Sequence, residues 1–236
     1  MPKMTAAQYK TKIEPVWCPG CGDFGVLNAL CNSLSARDVD PKNTVFVSGI
    51  GCSGRLPPYV KSYGFHTVHG RVLPIATGIK VANPDLTVVA VGGDGDAFAI
   101  GGGHIPHMAR RNPSILYIVM DNGTYGLTKG QASPTGPLGM KTAASPYGTI
   151  EPPLNPIAMA LAYDISFIAR AYARPDKGDL IRFIVDTALP WANDSPQDSP
   201  KVIRDNLQAL ENGASVAATD PDGATLTLNV VQVTDI

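Results

Sequence analysis

Apolar residues along the chain are grouped in short runs that end at glycine or polar turns, and these runs predict the strands of the fold. Several are rich in β-branched residues, which is typical of strands buried on both faces of a sheet. The predicted strands are Thr44–Ser48, Phe65–Val68, Leu86–Val91, Ile115–Met120 and Ile165–Ala169.

Between these runs, apolar residues recur at helical spacing. One apolar face joins Val26, Leu30 and Leu34, and Asp23 is a candidate N-cap for that helix. Further helices are predicted at Leu73–Val81, through Met108 and Ala109, at Leu154–Ala162 and at Asp179–Leu189. Strands that alternate with helices predict an α/β fold with a parallel sheet flanked by helices, similar to a Rossmann fold.

Two segments do not follow this alternation. Residues 123–150 are rich in Gly, Thr, Ser and Pro and are too long for a plain connection, so we expect an active-site loop. Pro190–Pro200 is a polar, proline-rich linker. We therefore expect a domain of residues 1–189 and an atypical tail of residues 190–236. The tail elements predicted are a short helix at Val202–Leu210 and a strand at Thr225–Val233 that does not belong to the preceding sheet.

Composition narrows the possible partners and location. The chain has 236 residues, of which 44% are hydrophobic, enough for one substantial core. Its net charge is −1 without a basic cluster, so neither nucleic acid nor a membrane surface is expected as a main partner. The N-terminal residues lack a signal peptide's apolar stretch, and no run is long enough to span a membrane, so we expect a cytoplasmic protein.

Two oxygen-bearing side chains follow neighbouring predicted strands. Asp94 lies in the Gly-Asp-Gly-Asp turn after one strand, and Asn122 follows the next strand, 28 residues later. This spacing is that of one strand–helix–strand crossover, which brings both side chains to the edge where open α/β sheets bind ligands. A carboxylate and an amide oxygen beside a glycine-rich turn suit a magnesium ion that holds a diphosphate.

Three of the four cysteines lie in glycine-bearing turns. Cys18 and Cys21 form a Cys-x-x-Cys pair, and Cys52 lies in a second turn. Since thiolates favour zinc and iron–sulfur clusters, three interpretations stay open: a redox dithiol with an unrelated Cys52, a three-thiolate share of a zinc site, or part of a [4Fe–4S] cluster. Cys31 lies on the apolar helix face and is expected to be a core residue.

Two further turns carry candidate contacts. His69-Gly70-Arg71 joins a predicted strand to a helix, where it can reach a phosphate. Lys129 follows Asn122 closely and can meet an acidic substrate group. His104 and His107 lie three residues apart on a helix, but no third ligand accompanies them, and we interpret them as structural.

Together these motifs resemble the β subunit of the 2-oxoacid:ferredoxin oxidoreductases, a family that carries thiamine diphosphate and a [4Fe–4S] cluster. The matching segments are Trp17–Gly25 (WCPGCGDFG), Gly49–Gly54 (GIGCSG), His69–Pro84 (HGRVLPIATGIKVANP), Gly92–Asp96 (GGDGD), Asp121–Gly126 (DNGTYG) and Leu127–Pro134 (LTKGQASP). The resemblance implies a thiamine-diphosphate-binding fold.

The resemblance also implies roles for single residues. Asp94 and Asn122 would hold Mg²⁺ through their side chains, and Thr124 through its backbone carbonyl. Leu127 would lie against the thiazolium ring, and Lys129 would contact a distal substrate carboxylate, which favours 2-oxoglutarate or a broad substrate range. The implied lining of the diphosphate is His69, Gly70, Gly93, Gly95 and Asp96, with Cys52 and Ser53 nearby. The implied cluster ligands are Cys18, Cys21 and Cys52.

The function implied is oxidative decarboxylation of a 2-oxoacid, 2-oxoglutarate or pyruvate, to acyl-coenzyme A with electrons passed to ferredoxin. The family's α subunit supplies the glutamate that activates the aminopyrimidine ring, so this chain is expected to be inactive alone. Two alternatives are a cluster-less thiamine-diphosphate decarboxylase or carboligase subunit, and a non-catalytic partner subunit.

The sequence departs from the family at the fourth cluster ligand. Family members carry a late cysteine, whereas this chain has no cysteine beyond Cys52. Three outcomes follow: a three-thiolate cluster with an open position or a donor such as Asp194 or Asp198, a subunit without a cluster, or a tail that reflects an altered reading of the gene.

Overall fold

A parallel sheet forms the centre of the fold. The computed structural model describes residues 3–170 and three short strands at residues 217–219, 225–227 and 233–234. The strands are β1 (Thr44–Ser48), β2 (Tyr63–His66), β3 (Thr87–Gly93), β4 (Ile115–Asp121), β5 (Thr124–Tyr125), β6 (Gln131–Ala132), β7 (Ala217–Thr219), β8 (Thr225–Thr227) and β9 (Val233–Thr234). Five of them pair in parallel in the order β2-β1-β3-β4-β9, which confirms the predicted parallel sheet.

Helices and short helical turns connect these strands. The helices are α1 (Asp23–Ala36), α2 (Val72–Ala82), α3 (Ile105–Arg111) and α4 (Pro156–Ala162). The shorter turns are five 3₁₀ segments at Ala6–Tyr9, Pro41–Asn43, Ser53–Arg55, Pro57–Tyr59 and Gly102–His104, and one π-helical turn at Asp96–Ile100. The N-cap of α1 is Gly22, not Asp23 as predicted. Asp23 is the first helical residue, where its carboxylate still complements the positive end of the helix dipole.

The two faces of the sheet pack into two separate cores. On one face Phe46, Val89 and Val91 pack with residues of α1 such as Leu30. On the other face, alternate residues of β1 and β3 pack with side chains of α2 and α3. Because strand side chains alternate between faces, a strand covered by helices on both sides is apolar throughout. This explains why β1 and β3 are the clearest apolar runs in the sequence.

The predicted crossover between β3 and β4 is confirmed. These strands are parallel neighbours, and Gly93 at the end of β3 pairs with Met120 near the end of β4. The chain between them runs through the π-helical turn, a 3₁₀ turn and α3. Asp94 and Asp121 therefore leave the sheet side by side at its carboxyl-terminal edge.

Three strand predictions need correction. β2 lies at Tyr63–His66, two residues before the predicted 65–68, and all four of its residues are exposed. The segment predicted as a strand at Ile165–Ala169 makes no ladder pairing among the described residues. Instead, Ile165 packs against one core and Phe167 and Ala169 against the other, and Ile168 is buried. The tail strand β9 joins the sheet beside β4, which the sequence does not predict.

The remaining predictions for the tail fall only in part on residues that the structure describes. The strand predicted at 225–233 coincides with β8, which pairs antiparallel with β7, and with the first residue of β9. The predicted helices at 179–189 and 202–210, the linker at 190–200 and the domain boundary after 189 lie outside the described residues. Within the described part of the chain, no helix combines the length and apolar character needed to cross a membrane.

Candidate functional site

The carboxyl-terminal edge of the sheet opens into a cavity of about 1110 Å³. It is bounded by the turns after β1, β3 and β4 and by the cysteine turn before α1. The cavity brings together most of the residues predicted from the sequence: Cys18, Cys21, Cys52, Ser53, His69, Gly93, Asp94, Gly95, Asp96, Asn122, Thr124 and Leu127. Gly70 and Lys129 do not line it.

Asp94 is the buried carboxylate at the centre of this edge, with 2% of its surface exposed. Its Oδ2 accepts hydrogen bonds from the hydroxyls of Ser133 and Thr135, the second at 2.7 Å. Burial raises the pKa of the Asp94 carboxyl above its ordinary value, and the two hydrogen bonds offset part of that rise. A cation in the cavity would also stabilise the charged form.

A second carboxylate lies beside Asp94. The Thr135 hydroxyl is 2.7 Å from Oδ1 of Asp121 as well as from Asp94. Asp121 is buried and also accepts from the backbone N–H of Gly123 at 3.1 Å. Sequence reasoning missed Asp121, Ser133 and Thr135 as site residues. The sequence did contain a signal for Asp121, because this acidic residue stands at the end of β4, the strand next to β3.

Asp96 ties three turns of the site together. Its Oδ1 accepts from the backbone N–H groups of Ile50 and Gly70, each at 2.8 Å, and lies 3.3 Å from Nδ1 of His69. A Cβ at Gly49 would stand 2.0 Å from Oδ2 of Asp96, so only glycine fits there. Gly70, which was expected to line the cofactor, thus acts through Asp96 in this structure.

The turn after β4 presents Asn122 at the cavity. Asn122 is exposed, and its Oδ1 accepts from the backbone N–H of Thr124 at 3.1 Å, which fixes the side chain over its own turn. Thr124 begins the two-stranded β5–β6 hairpin and donates its hydroxyl to the carbonyl of Gln131 at 2.9 Å. Asn122 and Asp94 therefore flank one opening from neighbouring strand ends.

The β5–β6 hairpin loop carries Leu127 and Lys129. Leu127 lines the cavity with 48% of its surface exposed. Lys129 is exposed outside the lining, and its backbone N–H donates to the side chain of Gln131 at 3.1 Å. The structure thus places Leu127 at the cavity and Lys129 on the exposed part of the same loop, outside the lining.

Cys18, Cys21 and Cys52 line one side of the same cavity. Trp17 anchors this side, because its Nε1–H donates to the carbonyl of Cys52 at 2.7 Å and its ring packs edge-on against Tyr59. Burial and the nearby charge of Asp23 raise the pKa of Cys52. Within residues 3–170, however, no three His, Cys, Asp or Glu side chains form a group that could hold a metal ion.

Cys31 is confirmed as a core residue, with none of its surface exposed. Burial raises its pKa from 9.0 to about 11, so the thiol stays protonated and shielded at neutral pH. We expect iodoacetamide at pH 8 to label Cys18 first, Cys21 and Cys52 more slowly, and Cys31 only after unfolding. Peptide mass spectrometry of native and denatured samples checks this order. Native labelling of Cys31 at the rate of Cys18 would contradict the assignment.

The donors at the sheet edge fit a hydrated divalent cation bound to a diphosphate. Asp94, Asn122 and the backbone carbonyl of Thr124 are hard oxygen ligands, which magnesium prefers. The floor of the cavity is glycine, and Cβ atoms there would crowd its walls: at Gly95 a Cβ would lie 2.4 Å from the Tyr125 ring, and at Gly93 3.2 Å from Ser53 Oγ. The three thiols suit iron chemically, but they fall one short of a four-thiolate set.

Comparison with known proteins gives the class and then the family. A family model for the thiamine pyrophosphate enzymes, described as their C-terminal TPP binding domain, matches residues 49–200. The chain therefore belongs to the thiamine pyrophosphate (thiamine diphosphate) enzymes. Within that class it is a member of the β-subunit family of the 2-oxoacid:ferredoxin oxidoreductases, as the following relatives show.

Two curated relatives illustrate the family. The β subunit of 2-oxoacid:ferredoxin oxidoreductase 2 from Aeropyrum pernix is 52% identical over 165 residues, which are 70% of this chain and 53% of the relative. The 2-oxoglutarate oxidoreductase subunit KorB from Mycobacterium tuberculosis is 48% identical over 158 residues, which are 67% of this chain and 42% of the relative. The chain thus spans about half the length of the curated relatives it matches.

A solved structure supports the fold. The 2-oxoglutarate:ferredoxin oxidoreductase from Magnetococcus marinus, determined with 2-oxoglutarate, coenzyme A and succinyl-CoA bound, superposes with a TM-score of 0.78 at 46% sequence identity. The match covers 80% of this chain and 65% of that chain. The predicted thiamine-diphosphate-binding α/β fold is confirmed.

Proposed function

We propose that this chain is the thiamine-diphosphate-binding β subunit of an enzyme that converts a 2-oxoacid and coenzyme A to acyl-coenzyme A and CO₂ while reducing ferredoxin. The observation that carries the proposal is the buried Asp94 carboxylate at the sheet edge, with Asn122 across the opening of the same cavity. The functions for which the relatives are named and the ligands bound in the Magnetococcus marinus enzyme support it. An α subunit is the proposed partner, and a cytoplasmic location stays a prediction.

Three oxygen donors are the proposed ligands of the Mg²⁺ that accompanies the diphosphate of the cofactor. Asp94 and Asn122 bind Mg²⁺ through their side chains and Thr124 through its carbonyl. A cation held by these donors would compensate the diphosphate charge beside the carboxylates of Asp94 and Asp121. Gly93, Gly95 and Ser53 line the same cavity.

Two other residues orient the reacting end. When bound, thiamine diphosphate supplies a thiazolium ring that acts as an electron sink for decarboxylation. Leu127 excludes water from the adjoining part of the cavity. His69 is held through Nδ1 by Asp96, so its other ring nitrogen is the one free to meet phosphate or substrate.

Lys129 is the proposed contact for a distal substrate carboxylate. It lies two residues after Leu127 on the exposed hairpin loop, where a flexible side chain can reach over the cavity. We expect Lys129→Ala to raise KM for 2-oxoglutarate about tenfold, the loss of one solvent-exposed charge contact, with KM for pyruvate unchanged. Steady-state kinetics of the assembled enzyme measures both. Lys141→Ala, which removes another exposed lysine, is the control, and equal effects on both substrates would refute the role of Lys129.

Cys18, Cys21 and Cys52 are proposed as three thiolate ligands of an iron–sulfur cluster that receives the electrons. Their common position on the cavity that also holds Asp94 supports this. The second candidate function is a cluster-less thiamine-diphosphate decarboxylase or carboligase subunit, and it rests on the cysteine count: Cys18, Cys21 and Cys52 are three thiols where a four-thiolate set needs four.

One experiment separates these functions. The chain is co-expressed with an α subunit of a 2-oxoacid:ferredoxin oxidoreductase and purified without oxygen. Thiamine diphosphate, iron and sulfide are then measured, and EPR spectra are recorded after addition of 2-oxoglutarate and coenzyme A. The proposal expects bound cofactor, iron with sulfide, and a reduced-cluster signal. Cofactor without iron would favour the cluster-less function, and absence of cofactor would overturn both.

A further inference from the structure

The Asp94 carboxylate accepts hydrogen bonds from the loop that follows β6. Its Oδ2 accepts hydrogen bonds from the hydroxyls of Ser133 and Thr135. These hydroxyls restrict rotation of the carboxylate, Ser133 through its own bond and Thr135 when its single proton is donated to Asp94 rather than to Asp121. The direction of Oδ1 of Asp94 is then restricted, which is what a metal ligand at a cavity requires.

Ser133 and Thr135 form a unit that is rigid in itself. Their hydroxyls lie 3.0 Å apart, and the backbone N–H of Thr135 donates to Oγ of Ser133 at 3.3 Å. The backbone N–H of Ser133 donates to the carbonyl of Gly123 at 3.1 Å, in the turn that carries Asn122. The unit therefore holds the Asp94 side chain in register with the turn of the second proposed metal ligand.

The Thr135 hydroxyl lies between two carboxylates, those of Asp94 and Asp121. It is 2.7 Å from a carboxylate oxygen of Asp94 and 2.7 Å from one of Asp121. One hydroxyl has one proton, so it can donate to only one of these carboxylates at a time. The second carboxylate remains close without that bond, and a nearby cation relieves the repulsion.

We propose that Thr135, with Ser133, is a positioning residue for the magnesium ion: it orients Asp94 and couples it to Asp121, and thereby sets metal affinity. Thr135 does not touch the metal, the cofactor or the substrate in this scheme. The inference rests on the proposed function, because it assumes that Asp94 is a metal ligand.

The test measures metal binding directly, without turnover. Mn²⁺ replaces Mg²⁺, and free Mn²⁺ is counted by EPR in the presence of saturating thiamine diphosphate and the α subunit. We expect Thr135→Val, which keeps the shape but loses the hydroxyl, to raise the Kd for Mn²⁺ about tenfold to a hundredfold, the effect typical of losing a group that orients a metal ligand. Thr135→Ser, which keeps the hydroxyl, should stay within about threefold of wild type.

A matched control and a second variant complete the design. Thr77→Val removes a half-buried threonine hydroxyl that donates to the Leu73 carbonyl within α2 and does not line the cavity, so it should leave the Kd unchanged. If Thr135→Val does not fold, Ser133→Ala takes its place, with a threefold or larger rise in Kd expected. Equal Kd values for Thr135→Val and Thr135→Ser, or an unchanged Kd for Ser133→Ala, would overturn the inference. Failure of the wild-type protein to bind Mn²⁺ with the cofactor would instead overturn the proposed function.

Discussion

Replacing Asp94 with alanine should abolish magnesium-dependent retention of thiamine diphosphate. Asp94 is a buried carboxylate whose Oδ2 lies within hydrogen-bond distance of two hydroxyls, and it lines the cavity at the turn after β3. Changes to groups that merely orient a metal ligand typically cost 10–100-fold in affinity, so removing the ligand itself should cost roughly 100-fold or more. Without the cation, the diphosphate would face Asp121 with no charge compensation.

Equilibrium dialysis of thiamine diphosphate at several Mg²⁺ concentrations measures this effect. Wild type should show retention that rises with Mg²⁺, whereas Asp94→Ala should show little retention at any concentration. The fold should persist, because burial already disfavours the Asp94 charge and its removal relieves repulsion with Asp121. Glu14→Ala, the loss of an exposed carboxylate, is the control for net charge. Magnesium-dependent retention equal to wild type would show that Asp94 is not a ligand.

The sheet was predictable where strands are buried on both faces. The predicted bounds of β1 match the structure, and those of β3 and β4 differ by one or two residues, because a strand covered by helices must be apolar at nearly every position. The edge strand β2 was misplaced by two residues, since it is exposed throughout and its hydrophobic signal is weak. At Ile165–Ala169, apolar residues fill the cores without pairing, which local pattern cannot distinguish from a strand.

The residues of the candidate site likewise include some that the strand pattern locates and others that it does not. The meeting of Asp94 and Asn122 at one cavity was predictable because they directly follow adjacent parallel strands, whose ends lie side by side. Ser133 and Thr135 were not, because they reach Asp94 across about 40 residues of chain along a loop path that no local periodicity encodes. The role of Asp96 as an acceptor for two other turns, at Ile50 and at His69-Gly70, likewise depends on how those turns converge.

Asp96→Ala should loosen the whole site. It would leave the buried backbone N–H of Gly70 and that of Ile50 without their acceptor, and His69 without its orienting contact. Each unsatisfied buried donor costs about 1–3 kcal/mol, so the free energy of unfolding should fall by roughly 3–5 kcal/mol. For a chain of this size Tm should fall by about 10 °C. Because these turns line the cavity, thiamine diphosphate retention should fall as well.

Asp96→Asn removes the negative charge of Asp96 but keeps an oxygen that can accept hydrogen bonds, so it tests which of the two properties matters. Among the described residues, Oδ2 of Asp96 and the hydroxyl of Tyr117 are both buried without a hydrogen-bond partner, and both would lie within 3.3 Å of a Cβ built on Gly92. Asparagine keeps an oxygen for Ile50 and Gly70 and directs its NH₂ group toward the Tyr117 side. Thermal unfolding followed by circular dichroism should therefore place Asp96→Asn near wild type and Asp96→Ala far below it. Equal losses in both variants would mean that the negative charge, not the accepting oxygen, holds the three turns together.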